Sequence, residues 1–143
     1  MKVVVVDASV GLKWLAIFSQ EQLVDRAKAL LDRKTSGQIN LVVPDLFWLE
    51  ICSALCKAVR RHKCTPKEAF ESLEKLQHLP LQTVPSTELV NFAQEIAIQY
   101  GRSIYDSLYV ALARTIRSEL VTADEKLANA VAAHLPVKWL GAI

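Results

Sequence analysis

Short runs of apolar, mostly branched residues alternate along the chain with longer stretches in which apolar residues recur every three or four positions. The first pattern predicts β-strands and the second predicts amphipathic helices. The predicted strands cover residues 2–6, 41–43, 81–84, 120–121 and 137–139. The predicted helices cover residues 7–17, 20–34, 45–62, 66–78, 86–100, 104–116 and 124–133.

The order of these elements predicts the fold class. Strands that alternate with helices favour a parallel sheet, and right-handed crossovers place helices on both of its faces. We therefore predict an α/β fold, a three-layer α/β/α sandwich around a central parallel sheet of about five strands. No internal repeat or linker divides the sequence, so residues 1–143 are predicted to form a single domain.

Composition supports a folded domain but narrows the function classes only slightly. Apolar residues make up 52% of the 143 residues and charged residues 22%, which is typical of a chain with a substantial core. No apolar run reaches the ~18 residues that a membrane span needs, and Asp7 ends the first run, so we expect no membrane segment and a cytoplasmic protein. The net charge of +2 is too small to indicate a nucleic-acid partner by itself.

Four acidic residues occur where the predicted fold either buries a carboxylate or brings it to a ligand-binding edge. Asp7 follows the first strand and Asp124 follows the fourth, and ligands bind at the carboxyl ends of parallel strands. Glu50 and Asp106 lie in helices that are otherwise largely apolar. Burying and clustering carboxylates is costly, and a divalent cation among them offsets that cost. Oxygen ligands without Cys or His favour Mg²⁺ or Mn²⁺ over zinc, so we expect the four carboxylates within a few ångströms of one another.

Each of these acids also has a purely structural interpretation, which the sequence leaves open. The structural alternatives are helix caps at Asp7 and Asp124, a capping box of Ser103 with Asp106, and a Glu50 that points to solvent. A further acid, Asp45, stands at a predicted helix start and is interpreted as an N-cap.

Four blocks of the sequence carry a more specific signal when they are taken together. They are Asp7-Ala8-Ser9-Val10 with Lys13-Trp14-Leu15 behind it, Pro44-Asp45-Leu46 followed by Glu50, Tyr105-Asp106-Ser107-Leu108-Tyr109-Val110-Ala111-Leu112-Ala113, and Leu120-Val121-Thr122-Ala123-Asp124-Glu125-Lys126-Leu127. In this order and spacing the blocks resemble the PIN-domain toxins of the VapC type, and the resemblance spans essentially the whole chain.

The resemblance implies an acidic metal site and an activity. The site would comprise Asp7, Glu50, Asp106 and Asp124, with Ser9 and Thr122 as the hydroxyl neighbours that orient it. The activity would be that of an endoribonuclease that uses Mg²⁺ or Mn²⁺ on single-stranded or looped RNA and leaves a 5′-phosphate and a 3′-hydroxyl. The resemblance also implies a homodimer and a cognate antitoxin whose tail fills the active-site groove.

Basic residues are candidates for guiding RNA. The densest basic cluster lies at the end of the third predicted helix and includes Arg60 and Arg61, while Lys13 and Arg102 lie closer in sequence to the acids. Cations at a helix C-terminus also complement the helix dipole, so the cluster has a structural interpretation too. The alternative to a nuclease is a PIN-like binding module, in which the acids hold a metal for stability or dock a partner without catalysis.

Overall fold

The computed structural model describes residues 2–143 and contains one five-stranded parallel sheet with helices on both faces. The strands are β1 (Lys2–Val6), β2 (Ile39–Pro44), β3 (Gln82–Val84), β4 (Glu119–Thr122) and β5 (Val137–Trp139). The helices are α1 (Ala8–Gly11), α2 (Val24–Thr35), α3 (Leu46–Arg60), α4 (Pro66–Gln77), α5 (Val90–Tyr100), α6 (Ile104–Thr115) and α7 (Glu125–Val131). The predicted three-layer α/β/α fold is confirmed.

The strand order determines where side chains can converge. The sheet runs β3-β2-β1-β4-β5, so β1 is central and its Val5 pairs with Val42 of β2 and with Leu120 of β4. A central strand is covered on both faces, which explains its unbroken apolar sequence. The chain proceeds to one side from β1 to β3 and to the other side from β4 to β5. The topological switch point therefore lies between the carboxyl ends of β1 and β4, where ligands bind in open sheets of this kind.

The first predicted helix is wrong in its extent, and so is the start of the second. The helix that begins after Asp7 is interrupted at Leu15, whose backbone is extended (φ −94°, ψ 137°), and only short 3₁₀ turns continue to Phe18. Leu15 is buried in the core, and the indole N–H of Trp14 donates to the carbonyl of Ala27 at 2.8 Å. These tertiary contacts favour a bend over a continued helix. The next helix starts at Val24, not at residue 20.

Two other differences concern element ends. The helix predicted over residues 86–100 begins as a 3₁₀ turn (Ser86–Glu88) and becomes α-helical at Val90. Strand β2 extends beyond the predicted residues 41–43 at both ends, to Ile39–Pro44, and the side-chain oxygen of Asn40 within it accepts a hydrogen bond from Lys34. No helix in residues 2–143 is long and apolar enough to cross a membrane.

The interpretation of Asp45 as an N-cap is also wrong. Its backbone is already helical (φ −61°, ψ −24°) and its side chain makes no capping bond to α3. Instead, Asp45 Oδ1 accepts hydrogen bonds from the backbone N–H of Ser86, at 3.1 Å, and from the Ser86 hydroxyl. Asp45 therefore ties the end of β2 to the segment after β3.

Candidate active site

Asp7 is held rigidly at the carboxyl end of β1. Its Oδ1 accepts from the Ser9 hydroxyl at 2.5 Å and from the backbone N–H of Val10 at 3.3 Å, and its Oδ2 accepts from the Thr122 hydroxyl at 2.5 Å. The bond from Val10 makes Asp7 the N-cap of α1, so its structural interpretation is confirmed. The residue is only 8% exposed, and burial raises its pKa to about 6 although the three hydrogen bonds act in the opposite direction. A buried carboxylate with this pKa is a mark of functional sites.

Ser9 and Thr122 link the two strands at the switch point. The Ser9 hydroxyl accepts from the backbone N–H of Ala123 at 3.0 Å, and the Thr122 hydroxyl accepts from the backbone N–H of Asp124 at 3.0 Å. Each hydroxyl therefore receives one hydrogen bond and donates another to Asp7. A carboxylate that is fixed at both oxygens keeps one orientation.

Glu50 reaches the same edge of the sheet because α3 packs closely on α1. Gly11 makes this packing possible, since a Cβ at that position would lie 2.6 Å from Phe47 Cζ. Glu50 is half-buried and does not simply face solvent, because its Oε1 accepts a hydrogen bond from the Tyr109 hydroxyl at 2.5 Å. Burial raises the pKa of Glu50, the Tyr109 hydrogen bond opposes that rise, and the nearby charge of Asp106 adds to it.

Tyr109 is the site residue to which sequence reasoning assigned no role. It is 3% exposed, and its hydroxyl lies against Glu50 and the backbone N–H of Ala8. Burial raises the pKa of Tyr109, and the negative charges of Glu50 and Asp7 raise it further, so the phenol stays protonated and donates. The available signal was its polar hydroxyl in an apolar helix, because a buried tyrosine needs a hydrogen-bond partner.

Asp106 lies at the more open end of this group. The Ser103 hydroxyl caps α6 by accepting from the backbone N–H of Asp106 at 3.0 Å. The capping box of Ser103 with Asp106, which the sequence left open as an alternative, is incomplete. The carboxylate of Asp106 contacts Arg102 Nη2 at 3.4 Å instead of the Ser103 backbone. The side chain of Asp106 is 36% exposed, and its charge still raises the pKa of Glu50.

Asp124 is the N-cap of α7. Its Oδ1 accepts from the backbone N–H of Leu127 at 3.1 Å, so its structural interpretation is also confirmed. Asp124 connects to the other acids through the Thr122 hydroxyl, which bonds both to its backbone and to the Asp7 carboxylate.

The expected tight cluster of four carboxylates is not confirmed in that form. Within residues 2–143, no three carboxylate, imidazole or thiol groups lie close enough together to form a metal site by themselves. The negative charge of Glu50 repels that of Asp7, and the negative charge of Asp106 repels that of Glu50. The carboxylate of Asp124 accepts a hydrogen bond from the helix that it caps. Carboxylates that share negative charge are expected to stand apart, and local N–H and O–H donors satisfy them where they stand.

The donor chemistry nevertheless fits a hard divalent cation. Every candidate ligand is an oxygen, and the two acids with raised pKa, Asp7 and Glu50, repel each other. Mg²⁺ retains several of its waters and typically takes only one or two protein carboxylates, so it does not need a preformed cage of three. Zinc would require three or four closely placed N, S or O ligands, which does not match this arrangement.

The four basic residues that are candidates for RNA contact differ in how accessible their side chains are. Lys13 is buried and its Nζ pairs with Glu21 at 3.0 Å, so this structure does not offer it to RNA. Arg102 extends towards Asp106, and its Nε is buried without a hydrogen-bond partner. Arg60 and Arg61 are exposed at the end of α3.

Comparisons with known proteins by sequence profile, by sequence and by fold agree with one another. The sequence profile of the PIN domain matches residues 4–132. The chain is similar to ribonuclease VapC3 of Pyrobaculum aerophilum, at 32% identity over 127 residues, which cover 87% of this chain and 92% of that protein. Its fold is similar to that of PAE2754 from Pyrobaculum aerophilum (TM-score 0.69, 20% identity, 99% and 92% coverage). It is also similar in fold to a chain of a toxin–antitoxin complex from Klebsiella pneumoniae (TM-score 0.61, 15% identity, 94% and 95% coverage).

Proposed function

Because the chain belongs to the PIN-domain family, we propose that it is an endoribonuclease that depends on Mg²⁺ or Mn²⁺ and acts as the toxin of a toxin–antitoxin pair. The observation that carries the proposal is the Asp7 carboxylate, which is buried at the switch point, fixed by two hydroxyls and close to the charge of Glu50. Such an arrangement destabilises the fold unless the carboxylate has a positively charged ligand. A site that costs stability in this way is a mark of function.

The proposed roles follow from the contacts of each residue. Asp7, Glu50, Asp106 and Asp124 would hold the divalent ion, directly or through water. When bound, the ion supplies Lewis acidity, which acidifies water and neutralises the charge that develops on a phosphodiester. Ser9 and Thr122 keep Asp7 in one orientation, so its oxygens need no rearrangement during the reaction.

Glu50 is our candidate for the general base. Its raised pKa makes it a better proton acceptor than an ordinary surface carboxylate, while the Tyr109 hydrogen bond keeps its side chain directed at the site. The carboxylate of Asp124 is less available as a base, because it caps α7. Attack by water on the phosphorus, with the 3′-oxygen as the leaving group, would give a 5′-phosphate and a 3′-hydroxyl.

The proposed partners are RNA, an antitoxin and a second copy of the chain, all in the cytoplasm. Apolar side chains that stand more than half exposed are available for protein contacts. They are Leu49 on α3, Phe70 on α4, Ile98 on α5 and Tyr105 on α6. The similar fold from Klebsiella pneumoniae belongs to a toxin–antitoxin complex, which supports a protein partner of this kind.

Cleavage of an RNA panel by the purified chain tests the proposal directly. We expect cleavage with Mg²⁺ or Mn²⁺, none after EDTA, and none with the Asp7→Asn variant. The matched control is Asp32→Asn, which makes the same chemical change at an exposed position of α2 and should leave cleavage unchanged. Full activity in EDTA or in Asp7→Asn would contradict the proposal.

One observation favours the alternative of a non-catalytic module, namely that no three candidate ligands among the described residues come together as a metal site. The module would bind a divalent ion or a protein partner and leave RNA intact. Metal binding by the wild-type chain without cleavage of any RNA, in either Mg²⁺ or Mn²⁺, would favour this alternative.

A further inference from the structure

One side of α3 connects the acidic site to exposed positive charge. Residues of an α-helix advance by about 100° each, so Lys57 lies about 20° to one side of the direction of Glu50. Arg61, the C-cap residue that directly follows α3, lies about 20° to the other side. At a rise of about 1.5 Å per residue, they stand about 10 and 16 Å from Glu50 along the helix axis. These three residues therefore form a stripe, which we call the Glu50 stripe.

The other sides of α3 are already occupied. Its core side carries Phe47, Ile51, Leu55 and Ala58, all buried. An adjoining side of α3, which shares Leu55 with the core side, lines an apolar cavity of about 420 Å³ against α4. The cavity is lined by side chains of both helices, among them Cys52, Val59, Arg60, Phe70 and Leu73. The Glu50 stripe lies outside both regions, and its two cations are exposed.

The two cations of the Glu50 stripe also have no acidic partner among the described residues, a property that they share with other exposed cations such as Arg60 and Lys75. Within residues 2–143, neither Lys57 nor Arg61 forms an ion pair. The ion pairs that do form are Lys2 and Lys138 with Glu119, Lys13 with Glu21, Lys67 with Glu71, and Arg102 with Asp106. Two unpaired cations on one helix side remain free to bind an external anion.

We propose that the Glu50 stripe binds the backbone of single-stranded RNA as it leaves the acidic site, with Lys57 and Arg61 each contacting a phosphate. The proposal rests on the nuclease function proposed above. The acids at the site repel a polyanion, so a substrate strand needs positive charge close by to offset that repulsion. Arginine can grip a phosphate with two parallel hydrogen bonds, and lysine contributes a compact charge.

Binding of a fluorescent single-stranded RNA at several salt concentrations tests the stripe. All variants are made in the Asp7→Asn background, so that the RNA stays intact. We expect Lys57→Ala and Arg61→Ala each to weaken binding about three- to tenfold at low salt, because each removes one phosphate contact. The slope of log K against log salt should become shallower by about 0.7 in each variant and by about 1.4 in the double variant.

Two control variants separate the stripe from a general effect of charge. Lys75→Ala removes one exposed positive charge from the last turn of α4 and should leave the salt slope unchanged. Arg60→Ala removes a charge that neighbours the stripe but lines the apolar cavity, and its effect should be clearly smaller than that of Arg61→Ala. Equal losses in all four single variants, or unchanged slopes in Lys57→Ala and Arg61→Ala, would overturn the proposal.

The outcome for the stripe can be distinguished from the outcome for the nuclease function. RNA binding is measured on a chain with the Asp7 carboxylate removed, whereas the nuclease function is measured as cleavage by the chain that retains it. If the wild-type chain cleaves RNA but the stripe variants bind normally, only the stripe fails. If the stripe variants show the predicted shallower slopes but the wild-type chain does not cleave RNA, only the nuclease function fails.

Discussion

Replacing Asp7 with asparagine should make the metal-free protein more stable while it abolishes cleavage. In the fold the pKa of Asp7 is raised from 3.8 to about 6, mainly by burial. The folded state therefore keeps this proton to a higher pH than the unfolded chain does. Between about pH 4 and pH 6 the free energy of unfolding falls as the pH rises, and at pH 7 the full penalty is present.

The size of the effect follows from the same shift. A difference of about two pKa units corresponds to about 3 kcal/mol of destabilisation at neutral pH. Asparagine carries no charge, so the variant avoids this penalty, but its amide must rearrange the hydrogen bonds with Ser9 and Thr122 at a cost of about 1 kcal/mol. We therefore expect Asp7→Asn to raise the free energy of unfolding at pH 7 by about 2 kcal/mol.

Urea denaturation in EDTA at pH 7 and at pH 4.5 measures this difference. At pH 4.5 most of the penalty has gone from the wild-type chain, so the advantage of Asp7→Asn should shrink by about 2 kcal/mol. The control variant Asp32→Asn should stay within about 0.5 kcal/mol of the wild type at both pH values, because Asp32 is exposed. If Asp7→Asn is less stable than the wild type by the same amount at both pH values, the ionised Asp7 does not oppose folding and the reasoning is wrong.

Three further predictions address the surroundings of the site. Tyr109→Phe removes the hydroxyl that holds Glu50, so kcat for RNA cleavage should fall about tenfold with little change in KM. The loss of this hydrogen bond should also lower the free energy of unfolding by about 1 kcal/mol. An unchanged kcat would contradict a positioning role for Tyr109. Gly11→Ala places a Cβ 2.6 Å from Phe47 Cζ and should lower the free energy of unfolding, measured in urea, by about 1–3 kcal/mol. Cleavage should also weaken, because the clash displaces α3, which carries Glu50. Mg²⁺ should raise the Tm of the wild-type chain and EDTA should reverse the rise, with a much smaller change for Asp7→Asn; a Tm that ignores Mg²⁺ in both proteins would count against the metal site.

Much of the architecture could be predicted because it depends on local patterns. The unbroken apolar run within residues 2–6 predicted β1, and the helix predicted from residue 66 begins there, where Thr65 and Glu68 form a capping box. The caps at Asp7 and Asp124 were among the alternatives that the sequence left open, and both form. Asp45 shows the limit of the same reasoning, because its side chain found a partner 41 residues away and left its helix uncapped.

Local sequence was enough to specify which elements form, their order, and the positions of Asp7 and Asp124 at strand ends, because apolar periodicity and capping depend on neighbours within a few residues. It took the folded chain to show that Tyr109 holds Glu50 across 59 residues and that Thr122 holds Asp7 across 115 residues. The folded chain also sets how far apart the acids stand. Those distances depend on how closely the helices pack, on which donors the packing brings near, and on the mutual repulsion of the carboxylates, and none of these is encoded in a short stretch of the chain.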